Sequence, residues 1–508
     1  MSTSSQPCVG SAQSSESLQG TGPIFGPMLA VALATVVTMW TAWVLTHVPL
    51  WGWTASPEIT GPVLISIMAV ALTLGLSRVP ASKGLVVGLG AGVITSAINL
   101  LALGSMLTEP TGSASTLTSA APGAEGLKPN AALMAGGFLA LGAVVGAVAG
   151  LVGSAIARKR STKVYAPSVW LGRIALIASL SIIPMLTLGG MVTSTASGLA
   201  VPDWPGTYGA NMFLYPISLM AQDARVFLEH SHRLYGAMLG VITILMTLYT
   251  FVATKNKPDA KGIRLMACTV LGLVIIQGIM GGIRVRYGFN DGSKAGQYFA
   301  FLHGVLAQFY FAASVLMSTW ALSRSRQERG IVGGVAPTSD EVPMKALKTL
   351  RTLMMVLVGA VVIQLLFGAL YRHTRAPHPL WSHVGFSIVV VVMAMAGGAL
   401  LTKNAGSSRG FMRVGKSLFH TVGLQFVLGW VAFFLIDWTK NKVEIPKAQE
   451  IVANQVADLS RGDAVSGLVR TIHQVNGAVL LALAVLGLAL VWRRYSTRLN
   501  AGTAVGTP

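Results

Sequence analysis

Long uncharged apolar runs alternate with short polar links along most of the chain. A hydrocarbon core of about 30 Å takes about 20 helical residues. Twelve stretches meet that length with few charges: 24–47, 60–77, 84–107, 131–157, 168–190, 228–253, 265–283, 297–322, 350–371, 381–401, 415–436 and 471–492. The alternating ten-residue segments of a membrane β-barrel are missing. The pattern therefore predicts an all-α polytopic membrane protein with twelve spans.

Composition agrees and narrows the class. Of 508 residues, 53% are hydrophobic and 11% charged, and the mean hydropathy is +0.65, too oily for a water-soluble domain. Two cysteines, Cys8 and Cys268, exclude a disulfide framework. The formal charge of +20 would suggest nucleic acid if it were clustered. With the N-terminus inside, however, 23 of the 37 Lys and Arg fall on the inner side, 13 on the outer side and Arg173 within a span. Five acids lie inside and twelve outside. The charge is thus an orientation signal that predicts an N-in, C-in topology and no nucleic-acid partner. Residues 1–22, rich in Ser, Gln and Gly without Lys or Arg, read as a disordered tail rather than a signal peptide.

From residue 168 the spans alternate in kind. Outward-running helices end in Met185-x3-Gly189-Gly190, Gln277-x3-Gly281-Gly282, Gln364-x3-Gly368-Ala369 and Gln425-x3-Gly429. Inward-running helices each carry a histidine near the outer end: His232, His303, His383 and His473. Two four-helix units, 168–322 and 350–495, read as copies of one another. Each histidine has a small residue four positions on, namely Gly236, Ala307, Ser387 and Gly477. Positions i and i+4 share a helix face, so a flat ring could lie along the bare backbone beside each imidazole. Imidazole is a common iron ligand, and two from facing helices suit a six-coordinate haem. The plainer alternative is that small residues only allow close helix packing and that each His only bonds a neighbouring helix. His47, His230, His373, His378 and His420 fall outside this register: His373 reads as lying just beyond a span, and His420 as a packing residue.

The strings GGMVTSTASGLAVPDWPGTYG (189–209) and EHSHR (229–233), followed by QGIMGGIRVRYG, FLHG, WSHVG, LQFVLG and HQVNGA, resemble the haem A synthase family over residues 168–495. The resemblance implies an oxidoreductase of the bacterial cell membrane that converts a methyl group of haem O to the formyl group of haem A, serving cytochrome oxidase assembly. It further implies that His232 and His303 hold the substrate haem, that His383 and His473 hold a haem b cofactor, and that Glu229 is the acidic residue at the reaction site. The implied partners are an electron acceptor, haem O synthase and the oxidase assembly machinery, besides membrane lipid. Glu229 and His232, at i and i+3, share a helix face; a solvated interfacial Glu is the plain alternative.

Arg233, Arg284, Arg286 and Arg372 lie near the histidine depth, where they could pair with haem propionates or only reach for the interface. Pro202-Asp203-Trp204-Pro205 is too stiff for helix and could cap the first site. Residues 446–459 read as an amphipathic surface helix. The cysteine pair of some family members is missing from the first outer loop. Residues 23–160 form an extra four-span region without the recurring histidine, for which scaffolding or partner docking is the default role. Two further readings of the whole are a bis-histidine two-haem electron-transfer or haem-handling protein, and a transporter.

Overall fold

The structure is a computed structural model that describes residues 24–46, 56–110, 125–159, 165–220, 223–290, 294–328, 342–406, 408–436 and 461–504. The tail with Cys8, His47 and the stretch 446–459 lie outside the described residues. The helices are α1 (Phe25–Thr46), α2 (Pro57–Leu76), α3 (Gly84–Leu103), α4 (Ala131–Lys159), α5 (Pro167–Ser194), the short α6 (Ile217–Met220), α7 (Ala224–Ala253), α8 (Lys261–Asn290), α9 (Lys294–Glu328), α10 (Met344–Thr374), α11 (Pro377–Lys403), α12 (Arg409–Phe434) and α13 (Arg461–Ala504). All but α6 are long and apolar enough to span a membrane, which matches the twelve expected spans. In lipid each backbone N–H and C=O must be satisfied within its own segment, and apolar sequence of this length does so as helix. One small sheet was not foreseen: β1 (Thr108–Pro110) pairs antiparallel with β2 (Glu125–Leu127), with Glu109 opposite Gly126.

The first four spans are locked by a glycine seam. Gly84, Gly88 and Gly92 recur every fourth residue on α3, and Gly142, Gly146 and Gly150 do so on α4. A Cβ on Gly88 would lie 2.2 Å from the Gly146 carbonyl oxygen, and one on Gly146 would lie 2.1 Å from that of Gly88. Only bare backbone allows this approach, and dispersion over the close contact replaces the hydrophobic force that lipid removes. This bundle joins the rest through α1, where Trp40 stands edge-on to Tyr235 of α7 at 5.8 Å and donates its indole N–H to Asn99 of α3.

The remaining eight spans form two rings with one neighbour order. In the first, α5 touches α7, α7 touches α8, α8 touches α9 and α9 returns to α5; in the second, α10, α11, α12 and α13 repeat that circuit. The buried core of the first ring is continuous with that of α1–α3, while α10–α13 carry a second core. Asp223 starts α7 by accepting from the Arg225 and Val226 backbone amides at 2.6 and 3.2 Å, an N-cap that fixes the first turn of the helix bearing Glu229 and His232. In the second ring, α10 continues to Thr374 and stops where Arg375 takes a left-handed φ of 55°. His373, expected just beyond a span, is therefore inside this helix, because the Arg372-His373 pair that looked like a terminus is accommodated by a cavity.

Candidate functional site

Each of the four register histidines meets a glycine from the preceding helix. A Cβ on Gly189 of α5 would lie 2.9 Å from His232 Cε1 of α7, and one on Gly281 of α8 would lie 3.2 Å from His303 Cε1 of α9. In the second ring, Gly368 of α10 stands in the same way 2.8 Å from His383 of α11, and Gly429 of α12 stands 3.2 Å from His473 of α13. The glycine of each repeated motif thus vacates the volume that the imidazole fills. The glutamine of the motif holds the histidine's helix. Gln277 donates to the His303 carbonyl at 3.0 Å and Gln364 to that of His383 at 2.8 Å, while Gln425 stands 3.3 Å from the His473 ring nitrogens. Met185 takes that position beside His232, so the first motif lacks this bond.

The histidines face each other in pairs. His232 and His303 have ring centroids 6.5 Å apart at 77° between planes, and His383 and His473 have centroids 6.1 Å apart at 81°. A metal–imidazole bond of about 2.0–2.1 Å, with ~1.1 Å from nitrogen to ring centre, puts two imidazoles on opposite sides of one ion about 6.3 Å apart. Both pairs have that spacing. Among the described residues no group of three or more His, Cys, Asp or Glu gathers as it would for a bare ion. Two imidazole donors would instead suit an ion that brings its other ligands with it.

Both pairs line one continuous cavity of about 590 Å³, and so do Gly236, Ala307, Ser387 and Gly477, the small residues one turn from each histidine. His373, which sequence reasoning set aside, lines it too; its Nε2 lies 3.7 Å from where a Gly304 Cβ would be, one residue beyond His303. The other described histidines stay apart from the chamber. His230 is buried with Nδ1 3.1 Å from Thr207 Oγ1, and His420 and His378 are exposed.

Glu229 also lines the cavity and is the one carboxylate to do so among the described residues. It is 3% exposed, which rules out a solvated interfacial Glu. One oxygen pairs with Arg233 at 2.7 Å and the other accepts the Val201 amide at 2.9 Å. Of the arginines considered for an anionic ligand, Arg233 is already committed: besides Glu229 it donates to the carbonyls of Val201, Asp203 and Gly206. Arg372 donates to Gly190 O at 2.8 Å, Ser194 Oγ at 2.6 Å and Gln474 Oε1 at 2.5 Å, tying the second ring to the first. Arg286 is exposed and outside the cavity lining. Arg284 lines the cavity and has no ion-pair partner among the described residues.

The loop over the first pair is ordered by Asp203, whose carboxylate accepts the amides of Tyr208 and Gly209 at 2.7 and 2.9 Å. Those bonds hold Tyr208 at a φ of 51°, a left-handed conformation uncommon for a bulky residue. Burial pushes the Tyr208 and Tyr215 phenols above their ordinary range. Trp204 and Met212 of this loop line the cavity, and the Trp204 indole covers Gly282 of α8, where a Cβ would lie 2.4 Å from the ring.

Fold and site together define a polytopic helical membrane protein with two facing histidine pairs in one chamber. The family model described as cytochrome oxidase assembly protein (COX15-CtaA) matches residues 172–507, and the chain belongs to that family. Among curated relatives, a heme A synthase of Shouchella clausii is 29% identical over 160 residues, 31% of this chain and 48% of its own. One of Beijerinckia indica is 29% identical over 187 residues, 32% of this chain and 49% of its own. One of Nitrosomonas eutropha is 25% identical over 247 residues, 44% of this chain and 64% of its own. The chain thus spans about half the length of most of the curated relatives it matches. No solved structure matches it.

Proposed function

We propose that this chain is a haem A synthase-type oxidoreductase of the cell membrane, taking haem O as substrate between His232 and His303 and holding a resident b-type haem between His383 and His473. The observation that carries the reading is the doubled pair: two sets of imidazoles at 6.5 and 6.1 Å, each ring seated on a glycine, in one cavity. The donor set fits a haem, because two imidazoles complete an iron already held by four ring nitrogens. In this reading 168–322 is the substrate unit, 350–495 the resident-haem unit and 23–160 an added membrane region. The curated relatives named heme A synthase support the choice of substrate.

Bound in the second unit, the haem iron supplies one-electron redox chemistry. The chain's own residues bind, orient and handle protons. His232 and His303 fix the plane of the substrate ring, and Gly236 and Ala307 give it bare backbone to lie on. Arg284, which lines the cavity within the field of the Glu229 carboxylate, supplies the cation that propionate carboxylates need in an apolar wall. Converting a methyl group and one water to a formyl group releases protons and electrons in equal number. Glu229 is the carboxylate beside the first pair that takes those protons at a side-chain oxygen. The electrons leave to an acceptor outside the chain, and the product goes to cytochrome oxidase assembly, with haem O synthase as the supplier of substrate.

The test is to co-express the full chain with a haem O supply, purify it from membranes, and identify the extracted haems by chromatography and mass. Haem A together with haem B is the expected outcome. Haem B alone, beside untouched haem O, would overturn the reading in favour of a two-haem electron-transfer or haem-handling protein.

A further inference from the structure

The family match begins at residue 172, so α1 to α4 lie outside it, and they line none of the cavity. They do touch the loop that covers the first histidine pair. On its inner side that loop is gripped by Glu229 and Arg233, which hold Val201, Asp203 and Gly206. On its outer side the grip comes from the added bundle. Thr108, at the start of β1, donates its hydroxyl to the Leu214 carbonyl at 2.6 Å. Gly104, at the end of α3, approaches so closely that a Cβ there would lie 2.5 Å from the Phe213 carbonyl oxygen. Trp43 of α1 stacks on Phe227 at 5.4 Å and 30°. It also packs against the small core that Val201, Ala210 and Tyr215 of the loop form with Leu219 and Met220 of α6 and with Val226 and Phe227 of α7.

A loop of this length held from one side only would open at little cost, because local opening is governed by how few buried contacts must be broken. We propose that the α1–α4 bundle is a brace for the cap: Trp43 and Thr108 are positioning residues that hold the 198–216 segment down over His232 and His303, so that Trp204 and Met212 close the first site. Among the described residues the main contacts of the brace run to α5, α7 and this loop, on the side of the first pair. It therefore sets the opening rate of one site and leaves the other unchanged. The assignment of that site to a haem rests on the function proposed above; the bracing itself rests on the contacts alone.

The experiment follows amide hydrogen exchange in the full-length, detergent-solubilised chain with no haem added. In the Trp43→Ala/Thr108→Val double variant, exchange in 198–216 is expected to accelerate by about fivefold or more, the equivalent of roughly one lost contact. Exchange in α10–α13 should not change. Trp43→Phe with Thr108→Ser, which keeps a ring and a hydroxyl, should return most of the protection, and Leu133→Ala, on a surface position 77% exposed, should do nothing. Unchanged exchange in 198–216, or acceleration spread evenly over both rings, would overturn the brace. A second arm loads the same proteins with haemin and follows its transfer to an acceptor globin. The double variant is expected to lose pigment faster from the His232–His303 pair alone. If haemin binds neither pair, the haem reading fails while the exchange arm still decides the brace.

Discussion

At the scale of single residues, the glycines opposite the imidazoles are as demanding as the histidines themselves. A methyl at Gly368 would meet His383 Cε1 at 2.8 Å, inside van der Waals contact, and the ring would have to turn out of its seat. Gly368→Ala is expected to weaken binding of the haem proposed for the second pair, with affinity down by about tenfold or more for each ~1.4 kcal/mol of strain, while Gly359→Ala, whose methyl meets nothing within 4 Å, leaves that binding unchanged. Absorbance of the purified variants checks this. Glu229 offers a second contrast. Glu229→Ala strands Arg233 among carbonyls and should cost about 3–5 kcal/mol of stability, the range for breaking a buried pair. Glu229→Gln keeps one acceptor oxygen and the side-chain shape but turns an NH2 toward the other donor, so it is expected to cost less stability than Glu229→Ala, retaining the fold and haem binding at both pairs, yet to stall oxidation. Full product formation by the Gln variant would show that the carboxylate is dispensable. The four register histidines were legible in the sequence because their repetition outweighs any single position. The glycine–imidazole contact was half legible: the motif stood out, but its partner lies on another helix, and spacing along one helix carries no information about that. His373 was missed because an Arg-His pair after an apolar run looks like an interface when the polar chamber receiving it is built by other helices.

At the scale of elements, the twelve spans were readable because lipid leaves apolar sequence no choice but helix. The loop over the first site was not readable in the same way. Its stiffness follows from Pro202 and Pro205, but its course is set by Asp203, which accepts amides five and six residues ahead, and by Arg233 and Glu229, which reach it across 27 to 32 residues of sequence. The α3–α4 seam shows how two helices can meet specifically through bare backbone. Gly88→Ala would drive a methyl to 2.2 Å from the Gly146 carbonyl and force the helices apart at a cost of about 1–3 kcal/mol, the usual range for overpacking. Gly136→Ala on the same bundle meets nothing within 4 Å and should be neutral or slightly stabilising. Denaturation midpoints of the two variants in detergent test the difference.

At the scale of the whole molecule, the two rings meet in a patterned way. The first helix of each touches the last helix of the other: α5 lies on α13, α10 lies on α9, and the two last helices, α9 and α13, also meet. That arrangement is the one a twofold axis generates between identical subunits, an isologous interface. Two separate identical chains would have to repeat every contact on both sides of such an axis. One continuous chain does not. Arg372, eight residues beyond Gln364, bonds across the junction to Gly190 and Ser194. The residue eight beyond Met185 is Thr193, whose hydroxyl only bonds back to Gly189 on its own helix. Covalent linkage has thus released the two halves from self-complementarity, and near-twins in architecture can be unlike in duty, with the brace and the cap laid over one half alone.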